Sequence, residues 1–308
     1  MTDPSPVSPA VPPIEPPAVT SPVLSVVVPA HNEEAVITRL LSGLLDGISS
    51  GELEVVVAAN GCTDGTVAAA RAVHPAVRVA ETTTASKIAA LNLGDDVATV
   101  FPRAYVDADI AVDTAALREI AAMLTDPEQP LVGAPAMVVD ASRSSWPVRA
   151  HYRIWELTDY RSLGHVGSGI YALSEAGRGR FGQFPDVIAD DRYVQELFTL
   201  DERRGGTRTF TVHAPRTFRA LVHRSVRSSA GNAQLRSRSG ADGRTDSVAT
   251  APGGSGMKNL VKRVARRPLL WPDFAVYCVG YVVPRILGRR KLARGQAQVW
   301  ERDETSRT

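Results

Sequence analysis

Cysteine is scarce in this chain. Cys62 and Cys278 are the two it has, far apart and in no CxxC pair. That excludes a disulfide framework and a thiolate metal cluster, and it fits a reducing compartment. Net charge is equally slight, +2 from 35 basic and 33 acidic residues, which argues against a general nucleic-acid binder. Long apolar runs are missing too. The richest stretch, "LLWPDFAVYCVGYVVPRIL", is interrupted by Pro272, Asp273, Pro284 and Arg285, well short of the ~20 residues a spanning helix needs. No GxGxxG follows the first apolar run, which disfavours a dinucleotide oxidoreductase. There is no internal repeat. Residues 1–22, "MTDPSPVSPAVPPIEPPAVTSP", have neither a hydrophobic period nor a cationic and apolar leader, and are expected to form a disordered, proline-rich tail.

What is present is a core-forming apolar content of 44 %, enough for one large α/β domain with appendages. From Val23 the chain alternates. "VLSVVVP", "LEVVVAA", "AVRVA" and "RAYVDAD" read as strands, the first two buried on both faces. Between them "NEEAVITRLLSGLLDGI", "DGTVAAARAV" and "ASKIAALNLGDD" have helical spacing. Strand–helix alternation with short loops implies a parallel sheet. Ligands of such sheets sit beyond the carboxyl ends of the strands. Those ends carry His31 to Glu34, Asn60 to Asp64, and Asp107 to Asp109. Further on, "LVGAPAMVV" reads as a strand, "VRAHYRIWELTDYRSL" as a helix, "GHVGSGIYALS" as a glycine-rich loop entering a strand, and "IADDRYVQELFTL" as a helix opening on two carboxylates.

Asp107 and Asp109 are one residue apart after a strand. Alternate residues of extended chain point the same way, so both carboxylates are placed to share a hard cation such as Mg²⁺ or Mn²⁺. Two solvated carboxylates in a turn are the competing reading. Asp190 and Asp191 fit either a helix N-cap pair or an acid–base site. Asp64 reads as a helix cap, and His213 and His223 as ordinary histidines rather than metal ligands.

Five pieces in order, "PAHNEE", "ANGCTDGT", "KIAALN", "DAD" and "FGQFPDVIADD", resemble the inverting glycosyltransferases of family 2, across roughly residues 23 to 235. The resemblance implies the GT-A fold: a mostly parallel, Rossmann-like nucleotide-sugar-binding sheet with flanking helices. It implies a hexosyltransferase-like enzyme taking sugar from a nucleotide-diphosphate donor, a UDP-sugar being favoured. Pro29, Ala30 and Glu33 would lie in the first nucleotide loop, and Asn60 would meet the base where the family commonly has aspartate. Lys87 would lie near the nucleotide, and Asn92 would support a loop. Asp109 would bind Mg²⁺ or Mn²⁺ directly, with Asp107 on the metal or the ribose. Asp191 would be the catalytic base, oriented by Asp190. Gly167, Ser168 and Gly169 would run below the donor sugar. Arg224 and Arg227 stand in for the Gln-x-x-Arg-Trp of processive relatives, whose tryptophan is missing here, and would meet the diphosphate.

The implied layout is a tail at 1–22, a catalytic domain at 23–238, a flexible loop at 239–256, and basic and apolar helices at 257–308. That last part is expected either to pack on the domain or to lie in a membrane interface. A cytoplasmic enzyme at the inner face of the cell membrane, with a glycan or lipid-linked acceptor, is the resulting expectation. The competing readings are a non-catalytic nucleotide-sugar-binding scaffold and a sugar-phosphate nucleotidyltransferase. The acidic "PAHNEE" disfavours the latter, which would have a basic, glycine-rich loop there.

Overall fold

The computed structural model describes residues 22–125, 130–159, 166–241 and 255–293. The proline-rich tail, most of the loop expected at 239–256 and the stretch after 293 therefore lie outside the described residues. The first half alternates as expected: β1 (Leu24–Ala30), α1 (Glu34–Leu45), β2 (Leu53–Asn60), α2 (Thr66–Val73), β3 (Val77–Thr82), α3 (Lys87–Val97) and β4 (Arg103–Val106). There follow β5 (Ile110–Ala111), α4 (Thr114–Leu124), β6 (Val132–Asp140), α5 (Trp146–Trp155), β7 (Ile170–Leu173), α6 (Glu175–Arg178), α7 (Asp190–Gln195) and β8 (Arg203–His213). The chain continues with α8 (Phe218–Ala241), α9 (Ser255–Ala265) and α10 (Trp271–Ala293).

One mixed sheet of eight strands runs β3-β2-β1-β4-β7-β6-β8-β5. Strands β1 to β4 are mutually parallel, β7 is antiparallel to both β4 and β6, and β8 is parallel to β6. The period of two sends successive residues of β1, β2 and β4 to opposite faces, and both faces are covered, so these strands are buried throughout. Leu24, Val26, Val28, Val55, Val57, Ala104 and Val106 enter one core with α1 and α4. Val27, Val56 and Tyr105 enter another, with Ile88 and Leu91 of α3. Each fully buried valine or leucine contributes about 1.5–3 kcal/mol.

α3 comes unusually close to the sheet, because a Cβ on Gly94 would lie 2.3 Å from Val27 Cγ1. A polar knot holds it there. The buried Asp95 carboxylate accepts from Tyr105 Oη at 2.6 Å and from the guanidinium groups of Arg103 and Arg178. Burial pushes this carboxyl up, but the hydrogen bonds from Arg178, Tyr105 and Arg103 outweigh it and hold it below the ordinary range. The knot joins the helix that begins with Lys87 to the strand that leads into Asp107.

Two expectations need correction. β8 was not anticipated: apolar alternation in "RRGGTRTFTVH" is confined to Phe210 and Val212, and pairing with β6 and β5 makes the whole segment a strand. α8 runs to Ala241 and α9 starts at Ser255, so helix occupies both ends of the span expected to be a flexible loop. α10 runs as one helix with Pro284 inside it.

Candidate active site

The strand order reverses between β1 and β4, where a doubly wound sheet opens a crevice at the carboxyl ends. A small cleft lies there, lined by Pro29, Lys87, Leu91, Tyr105, Val106, Asp107, Gly169, Tyr171, Asp190 and Asp191. Five stretches of sequence meet in it.

Lys87 is the first residue of α3, positioned by the Ser86 N-cap, whose hydroxyl accepts from Ala89 N. Its Nζ lies 2.7 Å from Asp107 Oδ1 and 3.0 Å from Asp190 Oδ1. Burial disfavours the ammonium, but Asp107 and Asp190 overcome this and raise its pKa, so it stays charged. Asp107 and Asp109 occupy the turn from β4 to β5, half-exposed, with buried Ala108 between them. The turn expected by one reading of this pair is present, and Asp107 faces the cleft. The Asp107 backbone N–H donates to Gly169 O at 2.7 Å. Burial pushes the Asp107 carboxyl up. Lys87 opposes this, while the charges of Asp190 and Asp109 push it further up.

Asp190 is 3 % exposed and accepts a hydrogen bond from Tyr171 Oη at 3.3 Å besides its pair with Lys87. Asp191, half-exposed, is held differently. Its Oδ2 accepts from Ser168 N at 3.0 Å and its Oδ1 from Arg192 N at 2.7 Å. Ser168 is in the left-handed region at φ 65°, between Gly167 and Gly169 at φ 120° and 121°. A Cβ on Gly167 would meet Asp191 Cβ at 2.8 Å, so glycine is required for the loop to reach this carboxylate. The close approach expected between this loop and a donor sugar is, at Gly167, an approach to Asp191.

Not every expected residue faces the cleft. Asn60 was expected at the base, but it is fully buried. Its Nδ2 donates to Ala30 O at 3.0 Å, tying the ends of β1 and β2, and its Oδ1 is left unpartnered. Ala30 is buried with its carbonyl engaged in that bond. Glu33 is 5 % exposed, and its backbone N–H donates to Thr66 Oγ1 at 2.7 Å. The exposed acid is Glu34, whose Oε2 accepts from Gly65 N at 2.9 Å. Asp64 caps as expected, accepting from Thr66 N at 3.1 Å. Asn92 grips the loop before the acidic pair, exchanging bonds with Phe184 N and O at 2.8 and 3.2 Å. Arg224 and Arg227 lie on α8 one to two turns before Gly231, whose Cβ would touch Ala189 and Ile188. Tyr171 was missed. Its only sequence signal is a place in a short apolar strand, and its register opposite Tyr105 comes from the antiparallel pairing of β4 and β7.

The donor set suits a hard divalent cation. Four carboxylates gather around one ammonium, and oxygen ligands are what Mg²⁺ and Mn²⁺ take. Among the described residues no three acidic, histidine or cysteine side chains form a ready cage. One or two carboxylates completed by substrate phosphates is the usual way such an ion is held.

Comparison with known proteins agrees with this architecture. The model of Glycosyl transferase family 2 matches residues 25–178. Among solved structures, the mannosyltransferase PcManGT from Pyrobaculum calidifontis, solved with GDP-Man and Mn²⁺, is similar in fold. Its TM-score is 0.53 at 20 % identity, over 94 % of this chain and 80 % of that one. Glucosyl-3-phosphoglycerate synthase from Mycobacterium tuberculosis, solved with Mn²⁺, UDP-Glc and phosphoglyceric acid, gives a TM-score of 0.45 at 19 % identity, covering 61 % and 70 %. No curated protein sequence matches. With half of its length matched by the family model and its active-site cleft on a GT-A sheet, the chain belongs to glycosyl transferase family 2 and is a glycosyltransferase.

Proposed function

We propose that this enzyme transfers a sugar from a nucleoside-diphosphate sugar, with inversion at the anomeric carbon, to an acceptor hydroxyl in cell-envelope polysaccharide or glycolipid synthesis. The observation that supports it most is the meeting of Lys87, Asp107, Asp190 and Asp191 in one cleft at the strand-order reversal. The catalytic unit is residues 23–238 as read from the sequence, with α8 closing it. The working location is the cytoplasm, at the inner face of the membrane.

Asp109, with Asp107, would hold Mg²⁺ or Mn²⁺. When bound, that ion offsets the charge growing on the departing diphosphate. Lys87 keeps a fixed positive charge beside Asp107 and Asp190 and relieves their repulsion. Asp191 accepts the proton of the attacking hydroxyl, its carboxylate aimed by the Ser168 and Arg192 N–H groups. Asp190, locked by Lys87 and Tyr171, orients its neighbour and is too buried to meet an acceptor itself. One displacement by the hydroxyl inverts the anomeric carbon without a covalent enzyme intermediate. Pro29 and Gly169 line the donor side, and Arg224 and Arg227 are assigned to the diphosphate.

The test is a donor screen. UDP-, GDP- and dTDP-sugars, UDP-sugars first, are titrated with Mn²⁺ or Mg²⁺ and then with EDTA, reading binding and slow donor hydrolysis. One nucleotide should be selected in a metal-dependent way, with turnover falling about 10²-fold or more in Asp109→Ala. A folded protein that binds none of these donors refutes the proposal.

A further inference from the structure

α10 has two unlike faces. Asp273, Tyr277, Gly280, Pro284 and Gly288 are buried against the domain. Gly288 packs tightly, since its Cβ would lie 2.9 Å from Ser229 Cβ on α8. A helix with one packed face ordinarily turns polar residues outward. This one does not. Val279, Val282, Val283, Ile286 and Leu287 follow the i, i+3, i+4, i+7, i+8 spacing of a second stripe and are 37–50 % exposed. Leu269, 93 % exposed, and Trp271, 58 % exposed, extend apolar surface toward the helix start. From Trp271 to Leu287 the helix is about 24 Å long.

The charge around this surface has one sign. Between Ser255 and Ala293 the sole acidic residue is Asp273, buried and paired with Arg153 at 2.7 Å. Exposed Arg266 and Arg267 precede the apolar surface, and exposed Arg289 and Arg290 follow it. Two copies pairing along α10, parallel or antiparallel, would set these cations against each other. An anionic bilayer complements both the cations and the apolar stripe. No helix among the described residues is long and apolar enough to cross a membrane, and the other face of α10 is already covered by α5 and α8.

We propose that the outward face of α10 is a docking surface for a bilayer rich in anionic lipid. The helix lies in the headgroup region with Val279, Val282 and Ile286 inserted and the two arginine pairs on the phosphates. The domain would thereby be held at the surface that carries a lipid-linked acceptor, one helix removed from the loop presenting Asp190 and Asp191. Each arginine near an anionic surface adds about fivefold to partition.

The full chain is floated with vesicles of phosphatidylcholine alone and of phosphatidylcholine with phosphatidylglycerol, at low and high salt. Deleting residues 257–308 would not serve, because Leu260, Val264 and Tyr277 form a buried cluster with Ile154. Two exposed double variants are used instead, Val282→Asp with Ile286→Asp, and Arg289→Glu with Arg290→Glu. The chain should float with the anionic vesicles and not the neutral ones, and each variant should lose about tenfold or more. Thermal melting and lipid-free donor hydrolysis should be unchanged. Wild-type protein left unfloated by phosphatidylglycerol, or both variants floating like wild type, overturns the proposal. So does a dimer in light scattering that Val282→Asp with Ile286→Asp dissociates, which would assign the face to a second copy. Flotation needs no donor, so its outcome is independent of the sugar-transfer test.

Discussion

Asp190 and Asp191 are adjacent in sequence and share a helix start, yet they meet opposite surroundings. Asp190 is buried on an ammonium and a phenol, whereas Asp191 is half-exposed on backbone N–H groups. On the proposed mechanism that contrast divides the work between them: a fixed charge that organises the site, and a carboxylate open to an acceptor. Asp191→Asn keeps the size and the acceptor oxygen but removes the basicity. Sugar transfer should fall by about 10²-fold or more while donor affinity, measured by calorimetry, stays unchanged. A parallel loss of donor binding would move Asp191 from base to binding group. That Asp107 and Asp109 follow the end of a strand was legible in the sequence, because the apolar run stops at Val106. The burial of Glu33 and Asn60 was not. Whether an asparagine at a strand end faces ligand or ties two strands depends on where the neighbouring carbonyl lies, here that of Ala30.

At the scale of elements, local pattern and tertiary packing divide the chain. β1 and β2 are continuous apolar runs that only a doubly covered strand accommodates, so their sequence sufficed. β8 and α10 are the reverse. β8 alternates only at Phe210 and Val212 and is made a strand by its partners, while α10 keeps its helix through Pro284 because α5 and α8 hold one face. The α5–α10 contact carries its own pH sensitivity. His151 is buried against Gly280, with its ring 5.0 Å from that of Tyr277 and its Nδ1 without a partner. Burial pulls its pKa down to about 4 from 6.5. The folded value lies below the unfolded one, so the unfolded chain binds the extra proton between them. Stability is therefore full above pH about 6.5 and lost as pH falls toward 4, by on the order of 2–3 kcal/mol. His151→Leu should flatten that part of the stability–pH curve in denaturant melts. A slope identical to wild type would show that the histidine protonates without opening the contact.

For the molecule as a whole, the cleft sets several carboxylates beside one ammonium. Burial, with the charges of Asp190 and Asp109, raises the Asp107 pKa despite Lys87, and a cation with a diphosphate would reorganise the junction of β1, β4, α3 and α7 together. Ligands that bind only the folded state raise its stability by mass action, about 2.7 kcal/mol at a hundredfold excess over Kd. The melting temperature should rise with Mn²⁺ and the selected nucleotide sugar together, and the rise should vanish with EDTA or in Asp109→Ala. A shift from nucleotide sugar that EDTA leaves intact would show binding without the metal.

By itself the sequence determined the βα alternation and the polar groups at the strand ends, because each follows from periodicity or short-range order along the chain, and five motifs in order carried its resemblance to the family. It also carried the cationic and apolar character of the C-terminal helices. Only the tertiary structure decided which carboxylate is buried, that Lys87 bridges two of them, that Tyr171 joins the site, and which face of α10 is left apolar. Those outcomes depend on contacts between residues as far apart as Lys87 and Asp190, and a distance across the sheet leaves no periodic trace in the chain that forms it.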